Sequence, residues 1–347
     1  MKELPYKKFS RLTHEKNIYL DRLNSCQFEL TFGCNFACVY CFNSCYNYPT
    51  YLTKELNTVQ IKLILDKLHQ AGIIWLCFTG GDPLTRPDFL DIYSYAKEKG
   101  FIISVFTNGY SVTEKIIDCF KSKPPFVIEI TLNAVSESLF EKISRVNGSF
   151  KKVISAIGKI LKNEIPLNIK TQVTRDNLRE APKIAEFLKA RRLKFNPDFK
   201  LYPKLDGDLS PCALRIKPME ALKLYGMPLK PKLRNTILPD LNKYTPYLYP
   251  CAIDAGDGIK VDPYGNIFLC ALLREPKLNL LETDVCVARE KLLSLVRGKT
   301  FTTRSRCANC RLKDYCHWCP GMAYLEKKDR EKPIEYYCEL AELTSRA

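Results

Sequence analysis

The chain has 347 residues, of which 54 are Lys or Arg and 38 are Asp or Glu, so its formal net charge is +16. Apolar residues make up 46% of the sequence, which allows a hydrophobic core and one large domain beside a smaller one. The sixteen cysteines are too sparse for a small disulfide-stapled protein. Because the sequence has neither a secretory apolar run nor a membrane-spanning one, we expect a cytoplasmic protein without membrane contact. In a reducing cytosol, clustered cysteines indicate metal ligands or catalysts.

Six apolar stretches have the composition of strands, and stretches with helical periodicity separate them. The predicted strands begin near Gln27, Ile74, Ile102, Phe126, Leu167 and Pro197. Predicted helices carry apolar stripes such as Ile61, Ile64, Leu65, Leu68 and Phe89, Ile92, Tyr93, Ala96. Two further helix starts fit the capping box, in which Ser111 pairs with Glu114 and Ser138 with Glu141.

Strictly alternating strands and helices predict an α/β fold with a parallel sheet and right-handed crossovers. An eight-unit barrel uses about 250 residues, so six units need about 190. The span from Cys26 to Leu205 is close to this length, which favours a partial (β/α)6 TIM-type barrel. The alternative is a doubly wound open sheet, but no GxGxxG segment follows the first strand.

The domain organisation follows from these elements and from composition. Residues 1–25 form an N-terminal extension, and residues 26–205 form the barrel. Seven prolines interrupt residues 206–250, which predicts a bridge without long elements. Residues 251–347 hold most of the remaining cysteines and are predicted to form a small domain held together by metal.

The first cysteine cluster, Cys34, Cys38 and Cys41, follows the first predicted strand in a C-x3-C-x2-C spacing. Barrel enzymes keep their chemistry at this end of the strands. Three thiolates can hold three corners of a 4Fe-4S cluster, which leaves one iron open to a ligand. Two alternatives remain: Cys45 closes the cluster as a fourth ligand, or the cysteines bind zinc.

This cysteine spacing, with Tyr40 before the last cysteine, resembles the cluster motif of the radical S-adenosylmethionine (radical SAM) superfamily. Gly80, Gly81 and Asp82 follow the second predicted strand, where members of that superfamily carry a GGE-type segment. The resemblance implies that these residues bind the SAM amino group, with Asp82 contacting the ammonium, and that Tyr40 packs against adenine. Taken alone, the Gly-Gly-Asp-Pro segment indicates an ordinary turn.

Further segments match the superfamily in chain order. Residues 107–109 end the third predicted strand as the superfamily's Thr-Asn-Gly segment does. Thr131 and Asn133 resemble the fourth-strand residues that reach the SAM ribose, and Arg145 resembles an arginine near the cofactor. The resemblance implies cleavage of SAM by one electron to methionine and a 5′-deoxyadenosyl radical, which abstracts a hydrogen atom from the substrate.

The C-terminal cysteines resemble the SPASM domain, an auxiliary-cluster module of radical SAM enzymes that act mostly on peptides and proteins. The spacing departs from that pattern once, with two residues instead of three between Cys316 and Cys319. The matching residues are Cys251, Gly265, Cys270, Cys307, Cys310, Cys316, Cys319 and Cys338.

The resemblance implies two auxiliary 4Fe-4S clusters besides the SAM-binding one, so three in all. An outer cluster would use Cys307, Cys310, Cys316 and Cys338. An inner one would use Cys251, Cys270 and Cys319, and one iron would be either open or capped by Asp254 or Asp257. The alternative is a pair of tetrahedral zinc sites.

The substrate implied by the resemblance is a ribosomally made peptide or protein, which is cross-linked, epimerised, excised or decarboxylated. Sulfatase maturases carry an Asp after the second SPASM cysteine, whereas this chain has Ala271, which disfavours that activity. The barrel starts too early for a fused leader-binding domain, so a separate leader-recognition protein or a leader-free substrate is expected. A flavodoxin or ferredoxin is the expected reductant. Cys212, in the bridge, is a candidate hydrogen-atom donor.

Two other functions compete with this one. An enzyme of the same type acting on a small molecule such as a tetrapyrrole is the first. The second is a zinc-knuckle protein that binds nucleic acid through basic patches such as residues 189–194, 304–306 and 327–330. These patches alternate with acids and lack an aromatic-rich RNA motif, so attraction of an acidic leader peptide or redox partner explains them more simply.

Overall fold

The computed structural model describes residues 6–225, 247–249 and 258–346, to which the structural statements below refer. Its strands are β1 (Ser25–Thr31), β2 (Trp75–Gly80), β3 (Ile102–Thr107), β4 (Val127–Thr131), β5 (Leu167–Gln172), β6 (Asn196–Asp198), β7 (Gly258–Val261), β8 (Asn266–Phe268) and β9 (Leu278–Asn279). Its helices are α1 (Tyr6–Tyr19), α2 (Pro49–Leu52), α3 (Thr58–Gln70), α4 (Phe89–Glu98), α5 (Glu114–Ser122), α6 (Glu137–Ser144), α7 (Ser149–Lys162), α8 (Ala181–Lys189), α9 (Pro218–Tyr225), α10 (Val285–Val296), α11 (Pro320–Lys327) and α12 (Glu335–Arg346).

The strands of the described residues form one sheet in the order β6-β5-β4-β3-β2-β1-β7-β8-β9. The six predicted strands are β1–β6, and each pairs in parallel with its neighbour along the chain. Helices connect them, so the predicted α/β architecture of six parallel units is confirmed. Parallel pairing brings the carboxyl ends of all six strands to one edge, which is where the sequence motifs lie.

The C-terminal part of the chain enters the same sheet. Strand β7 pairs in parallel with β1, so that Cys26 lies opposite Ile259. β7 and β8 then form an antiparallel hairpin whose turn is made by Asp262 and Gly265, as the turn residues in the sequence indicate. Gly265 has a φ of +81°, which this turn requires. The boundaries proposed for the domains remain predictions.

The core lies between the outer face of the sheet and the helices. The predicted stripe of α3, from Ile61 to Leu68, is buried, as is the stripe of α4 from Phe89 to Ala96. They pack against β2 residues such as Leu76 and Phe78, which alternate with the less buried residues of the opposite face. The buried helix stripes, which follow a period of 3.6 residues, therefore pack against the buried face of β2, which follows a period of 2 residues.

The predictions that Ser111 and Ser138 are helix N-caps were wrong. Helix α5 is capped by Thr113, whose side chain accepts a hydrogen bond from the Ile116 amide, and not by Ser111. Helix α6 already includes Ser138 and has Ser136 at its N-cap. In both helices the N-cap residue, Thr113 or Ser136, differs from the serine that the capping-box spacing predicted. A reciprocal capping box is present at the start of α3 instead.

Helix α1 packs through its aromatic residues against residues beside the amino ends of the barrel strands. The Trp75 ring nitrogen donates to the Tyr6 hydroxyl at 2.6 Å, and the His14 ring stacks on Trp75 with centroids 4.6 Å apart. This places the N-terminal helix at the end of the barrel opposite the motifs. None of the described helices has both the length and the apolar character needed to cross a membrane.

Candidate active site

Cys34, Cys38 and Cys41 lie in the loop after β1 and line one cavity of about 270 Å³. The cavity lies at the carboxyl ends of the strands, as the fold class predicts. Five other predicted site residues also line it: Tyr40, Gly80, Gly81, Thr131 and Asn133. The structure therefore brings together residues from three separate sequence motifs.

Hydrogen bonds fix the start of the cysteine loop. The Asn47 side chain accepts from the Cys34 amide at 3.2 Å and donates to the Cys34 carbonyl at 2.9 Å. The Cys34 thiol accepts from the Phe36 amide at 3.4 Å and lies 3.6 Å from the Asn108 amide nitrogen. Asn108 thus reaches from the end of β3 to the first cysteine, a contact that the sequence analysis missed.

The three thiols share an environment that disfavours their uncompensated negative charge. Burial, with the nearby Asp82 and Cys41 adding to it, raises the pKa of Cys34 to about 12. Burial and the other two cysteines also raise the pKa of Cys38, and burial raises that of Cys41. A positively charged group among the three sulfurs would offset these costs, so the donor set fits an iron-sulfur cluster.

Zinc binding and a fourth thiolate ligand, Cys45, are the two alternatives to an iron-sulfur cluster with an open iron. No three His, Cys, Asp or Glu side chains in the described ranges are arranged to hold a single metal ion, so a preformed zinc site is absent there. A four-iron cluster holds its thiolates farther apart than one ion does. Cys45 does not line the cavity, and its thiol instead interacts with the backbone of Leu205 and Asp206.

Gly80 and Gly81 allow the turn after β2 to lie directly on the cysteine loop. The Gly81 amide donates to the Thr31 carbonyl at 2.7 Å. A Cβ atom on Gly80 would be 2.1 Å from the Thr31 carbonyl oxygen, and one on Gly81 would be 2.3 Å from the Gly33 carbonyl oxygen. Glycine is required at both positions because backbone atoms occupy the space of a side chain.

Asp82 has partners other than the ligand expected from the resemblance. Its carboxylate accepts from the Thr107 hydroxyl at 2.8 Å, the Asn108 amide at 2.7 Å and the Leu84 amide at 2.9 Å. The side chain is fully buried and does not line the cavity. A buried carboxylate needs nearby donors, and here the turn after β2 supplies one and the end of β3 supplies two. Asp82 therefore joins the turn after β2 to the end of β3.

The stability of the iron-free protein is expected to depend on pH through Asp82. Burial raises the pKa of Asp82 to about 6, against hydrogen bonds from Asn108, Thr107 and Leu84 that lower it. The folded protein thus binds this proton more tightly than the unfolded chain, so stability falls as pH rises from about 4 to about 6. The shift corresponds to about 3 kcal/mol in the free energy of unfolding.

The measurement is urea unfolding of the wild type and of Asp82→Asn at pH 4 and pH 7. The variant removes this titration, so the wild type should lose about 2 kcal/mol more than the variant between the two pH values, because the unfolded carboxyl is already partly ionised at pH 4. Equal losses in the two proteins would show that Asp82 does not titrate in this range. Comparing the pH changes, and not the absolute stabilities, removes the cost of replacing an acceptor with an amide.

Tyr40 and Asn133 form a connected pair on the cavity wall. The Asn133 amide nitrogen donates to the Tyr40 hydroxyl at 2.6 Å, and its oxygen accepts from the Gln172 amide at 2.8 Å. The Tyr40 hydroxyl also hydrogen bonds with the Cys38 thiol. The two predicted residues are therefore coupled to each other and to the cysteine loop.

Arg145 lies apart from these residues. It follows α6 with a φ of 58°, is exposed, and does not line the cavity. The left-handed backbone ends the helix at this residue and turns the chain toward α7. The structure therefore does not bring Arg145 into the cavity with the other predicted residues.

The cavity also contains a charged pair that was not among the residues predicted from the sequence. Glu129 on β4 and Lys170 on β5 form an ion pair, and the Lys170 ammonium lies 4.2 Å from the Phe106 ring centroid. All three side chains line the cavity. The signal was available, because Glu129 precedes Thr131 by two residues and a strand places such residues on one face.

The predicted outer-cluster cysteines come together near α12. The pKa of the Cys307 thiol is raised to about 11 by burial and by Cys338, Cys316 and Cys310, so all four thiols are close enough to interact. Arg306 contacts Cys338 at 3.4 Å. Residues separated by up to 31 positions in sequence are thus neighbours.

Two of the predicted inner-cluster cysteines lie near the same tyrosine. Burial raises the pKa of Tyr202, and Asp198, Cys319 and Cys270 add to this effect, so both thiols lie near its hydroxyl. Cys319 caps helix α11 by accepting from the Met322 amide at 3.4 Å. The third predicted ligand, Cys251, and the candidate caps Asp254 and Asp257 lie outside the described residues.

Cys212 does not line the cavity that holds Cys34, Cys38 and Cys41. Its thiol lies 4.0 Å from Glu326, which forms a buried ion pair with Arg215 at 2.7 Å. Burial raises the pKa of Cys212 to about 11, with Glu326 adding and Arg215 opposing. The thiol is therefore protonated at neutral pH, but the structure places it at the contact between the bridge and α11.

Comparisons with known proteins agree with this site. Residues 28–188 match the Radical SAM superfamily. An AdoMet-dependent heme synthase of Methanosarcina barkeri is 29% identical over 182 residues, which cover 52% of this chain and 52% of that protein. A PqqA peptide cyclase of Ruegeria pomeroyi is 28% identical over 172 residues, which cover 48% of this chain and 45% of that protein. The chain thus spans about half the length of the curated relatives it matches.

A solved structure extends the likeness of fold along the chain. SuiB of Streptococcus suis, bound to precursor peptide SuiA, superposes with a TM-score of 0.68 at 14% identity, covering 96% of this chain and 80% of that one. At this identity the likeness shows the fold alone. The family match confirms the radical SAM resemblance inferred from the first cysteine cluster. Residues 28–188 form a radical SAM domain, and the chain is similar in sequence to a PqqA peptide cyclase.

Proposed function

We propose that the chain reductively cleaves S-adenosylmethionine at a 4Fe-4S cluster held by Cys34, Cys38 and Cys41, and thereby modifies a ribosomally made peptide or protein. When bound, the cluster and SAM supply the one-electron chemistry that generates a hydrogen-abstracting radical. The observation that carries the proposal is the convergence of three half-buried cysteines and the Gly80–Gly81 turn on one cavity.

The residues of the chain position the cofactors and exclude water. The Gly80–Gly81 turn brings backbone atoms to the cavity edge without side chains in the way. Tyr40 and Asn133 hold each other in fixed orientations, so one aromatic face and one amide are pre-positioned for a nucleoside. Asp82 acts through the backbone of Asn108, whose side chain contacts Cys34, and is therefore a positioning residue.

The Glu129–Lys170 pair is assigned to the substrate side of the cavity. It lies on the barrel walls formed by β4 and β5, with Phe106 between it and β2. The Lys170 side chain is half-exposed, whereas that of Glu129 is mostly buried. A substrate entering the barrel would therefore meet an ammonium group held in place by a carboxylate and an aromatic ring.

Two auxiliary 4Fe-4S clusters complete the proposed cofactor set, making three. The grouping of Cys307, Cys310, Cys316 and Cys338 supports the outer cluster. The closeness of Cys270 and Cys319 to Tyr202 supports the inner one, with Cys251 as its third thiolate. A flavodoxin or ferredoxin would supply electrons, and a separate protein would recognise the leader of the peptide.

A peptide is the favoured substrate because the relatives include a PqqA peptide cyclase, and because SuiB, of similar fold, is solved with a precursor peptide. The second candidate is a small molecule such as a tetrapyrrole. It is favoured by the similarity to an AdoMet-dependent heme synthase. Both candidates use the same cysteine loop, so the loop does not distinguish them.

Co-expression with short peptides encoded next to this protein, followed by mass spectrometry, tests the peptide proposal. We expect one such peptide to change in the presence of SAM and a reductant. A loss of about two mass units would indicate a cross-link, and deuterium uptake without other mass change would indicate epimerisation. A larger loss would indicate excision or decarboxylation.

Replacing all three cysteines of the loop with Ala provides the control, because the peptide should then remain unmodified. Unaltered peptides together with SAM consumption that depends on an added tetrapyrrole would contradict the peptide proposal and support the small-molecule candidate. SAM cleavage that does not require the three cysteines would contradict both.

A further inference from the structure

A groove of about 950 Å³ lies outside the active site, between the segment 247–249 and the residues that follow α11. We define it as the basic groove. Its walls hold five cationic side chains, namely Lys299, Lys327, Lys328, Arg330 and Lys332, and two carboxylates, Asp329 and Glu331. The cations therefore outnumber the acids by three.

The two acids of the groove are already engaged by the protein. Glu331 accepts hydrogen bonds from the amides and hydroxyls of Thr302 and Thr303. These bonds lower its pKa to about 2 although burial acts in the opposite direction. Asp329 accepts from the Glu331 amide at 2.9 Å. Both carboxylates thus organise the groove backbone, and neither forms an ion pair with a groove cation within 4 Å in the described part of the chain.

The cations, by contrast, are largely uncompensated. Lys299, Lys328 and Lys332 are exposed and form no ion pair with any described residue. Lys327 has one ion pair, with Glu335 at 3.4 Å. Arg330 is half-buried, its Nε is buried without a hydrogen-bond partner, and its guanidinium lies 5.2 Å from the Tyr324 ring centroid.

Charge of one sign concentrated in a groove attracts ligands of the other sign and favours multivalent ones. The floor also contains the aromatic side chains of Tyr249 and Tyr324, which can pack against apolar groups between charges. The Arg330 Nε, which has no hydrogen-bond partner among the described residues, would gain an acceptor from such a ligand. An extended peptide with carboxylates spaced along it supplies the negative charge, the apolar groups between charges and the acceptor for Arg330.

The groove is coupled to the cysteine-rich part of the molecule through α11. Cys319 caps the first turn of this helix, and Lys327 and Lys328 lie at its end. Eight residues of helix span about 12 Å, so a segment in the groove lies within a few residues' reach of the proposed inner cluster.

We propose that the basic groove binds an acidic, extended segment of the substrate peptide. This inference rests on the proposed function, because it takes the ligand to be the peptide that the enzyme modifies. A polynucleotide is the competing anionic ligand. It differs in that its affinity follows phosphate charge and requires no apolar groups between charges.

The test measures binding of a fluorescein-labelled twelve-residue peptide of alternating Glu and Leu by fluorescence anisotropy, using the cluster-loaded protein without reductant. The groove variant combines Lys299→Glu, Lys328→Glu and Lys332→Glu. The matched control combines Lys189→Glu, Arg192→Glu and Lys194→Glu, which changes the same charge on another exposed basic patch. Competitors are the peptide with Gln in place of Glu and single-stranded dT12.

We expect the groove variant to weaken peptide binding about tenfold or more, and the control variant to weaken it by less than about threefold. The Gln peptide should not compete. Equal weakening by both variants would overturn the proposal, because the binding would then reflect net charge alone. Tighter binding of dT12 that is lost only in the groove variant would also overturn it, in favour of nucleic acid.

The outcomes for the groove and for the proposed function are separable. Iron content and SAM cleavage by the groove variant, measured with added reductant, should equal those of the wild type. Intact SAM cleavage with no selective loss of peptide binding contradicts the groove alone. Selective peptide binding by a protein that never cleaves SAM contradicts the proposed function alone.

Discussion

Replacing Cys34, Cys38 and Cys41 together with Ala is expected to abolish SAM cleavage and to lower the iron content from about 12 to about 8 per chain. The three thiols line the cavity, and their burial makes them poor thiolates without a cationic partner. Without them nothing in the loop holds iron. The auxiliary cysteines lie elsewhere and should keep their share.

The measurement is iron and sulfide analysis of the reconstituted protein, together with chromatographic detection of 5′-deoxyadenosine. A control combining Cys45→Ala, Cys77→Ala and Cys119→Ala should keep about 12 iron and full cleavage, because none of these thiols lines the cavity. Loss of iron in that control would support Cys45 as a fourth ligand. Zinc instead of iron in the wild type would contradict the cluster assignment.

Gly80→Ala is expected to lower the free energy of unfolding by about 3 kcal/mol or more and to weaken SAM binding. Its Cβ would lie 2.1 Å from the Thr31 carbonyl oxygen, which is a backbone atom of β1 and cannot move without disturbing the sheet. The residue also has a φ of +138°, which alanine adopts only at a cost. The turn would separate from the cysteine loop, so both stability and binding should suffer.

Gly72→Ala separates the effect of a positive φ from the effect of the close contact with Thr31. Gly72 has a φ of +84°, but a Cβ there meets no atom within 4 Å. It should therefore cost only about 1 kcal/mol in denaturant unfolding and leave SAM binding unchanged. If Gly80→Ala costs no more than Gly72→Ala, the close approach to Thr31 has no energetic importance. Isothermal titration with SAM supplies the binding measurement.

The sequence by itself determined the order of elements and the local motifs of this protein. The strands β1–β6 and the stripes of α3 and α4 follow from apolar periodicity, which depends only on residues a few positions apart. The spacing from Cys34 to Cys41 also suffices to predict a cluster, because its ligands lie in one loop. The order of β1–β6 agrees with the barrel prediction, in which consecutive parallel units pack side by side.

The tertiary structure decided everything that depends on direction or on distant partners. Asp82 hydrogen bonds with Thr107 and Asn108 and does not itself line the cavity, because its buried carboxylate needs donors that the end of β3 supplies in addition to Leu84. Glu129 and Lys170 become a pair because β4 and β5 are neighbours in the sheet, 41 positions apart in the chain. No local pattern encodes such a contact.

The C-terminal part also has features that the sequence predicts and features that depend on the tertiary structure. Its cysteine spacing was sufficient to suggest auxiliary clusters, but the meeting of Cys307 with Cys338 depends on how α12 packs. The basic groove likewise joins Lys299 to residues 327–332, and no run of charge in the sequence indicates that combination. Periodicity and spacing act over one or two turns of chain, whereas burial, ion pairing and electrostatic potential depend on which segments the fold brings into contact.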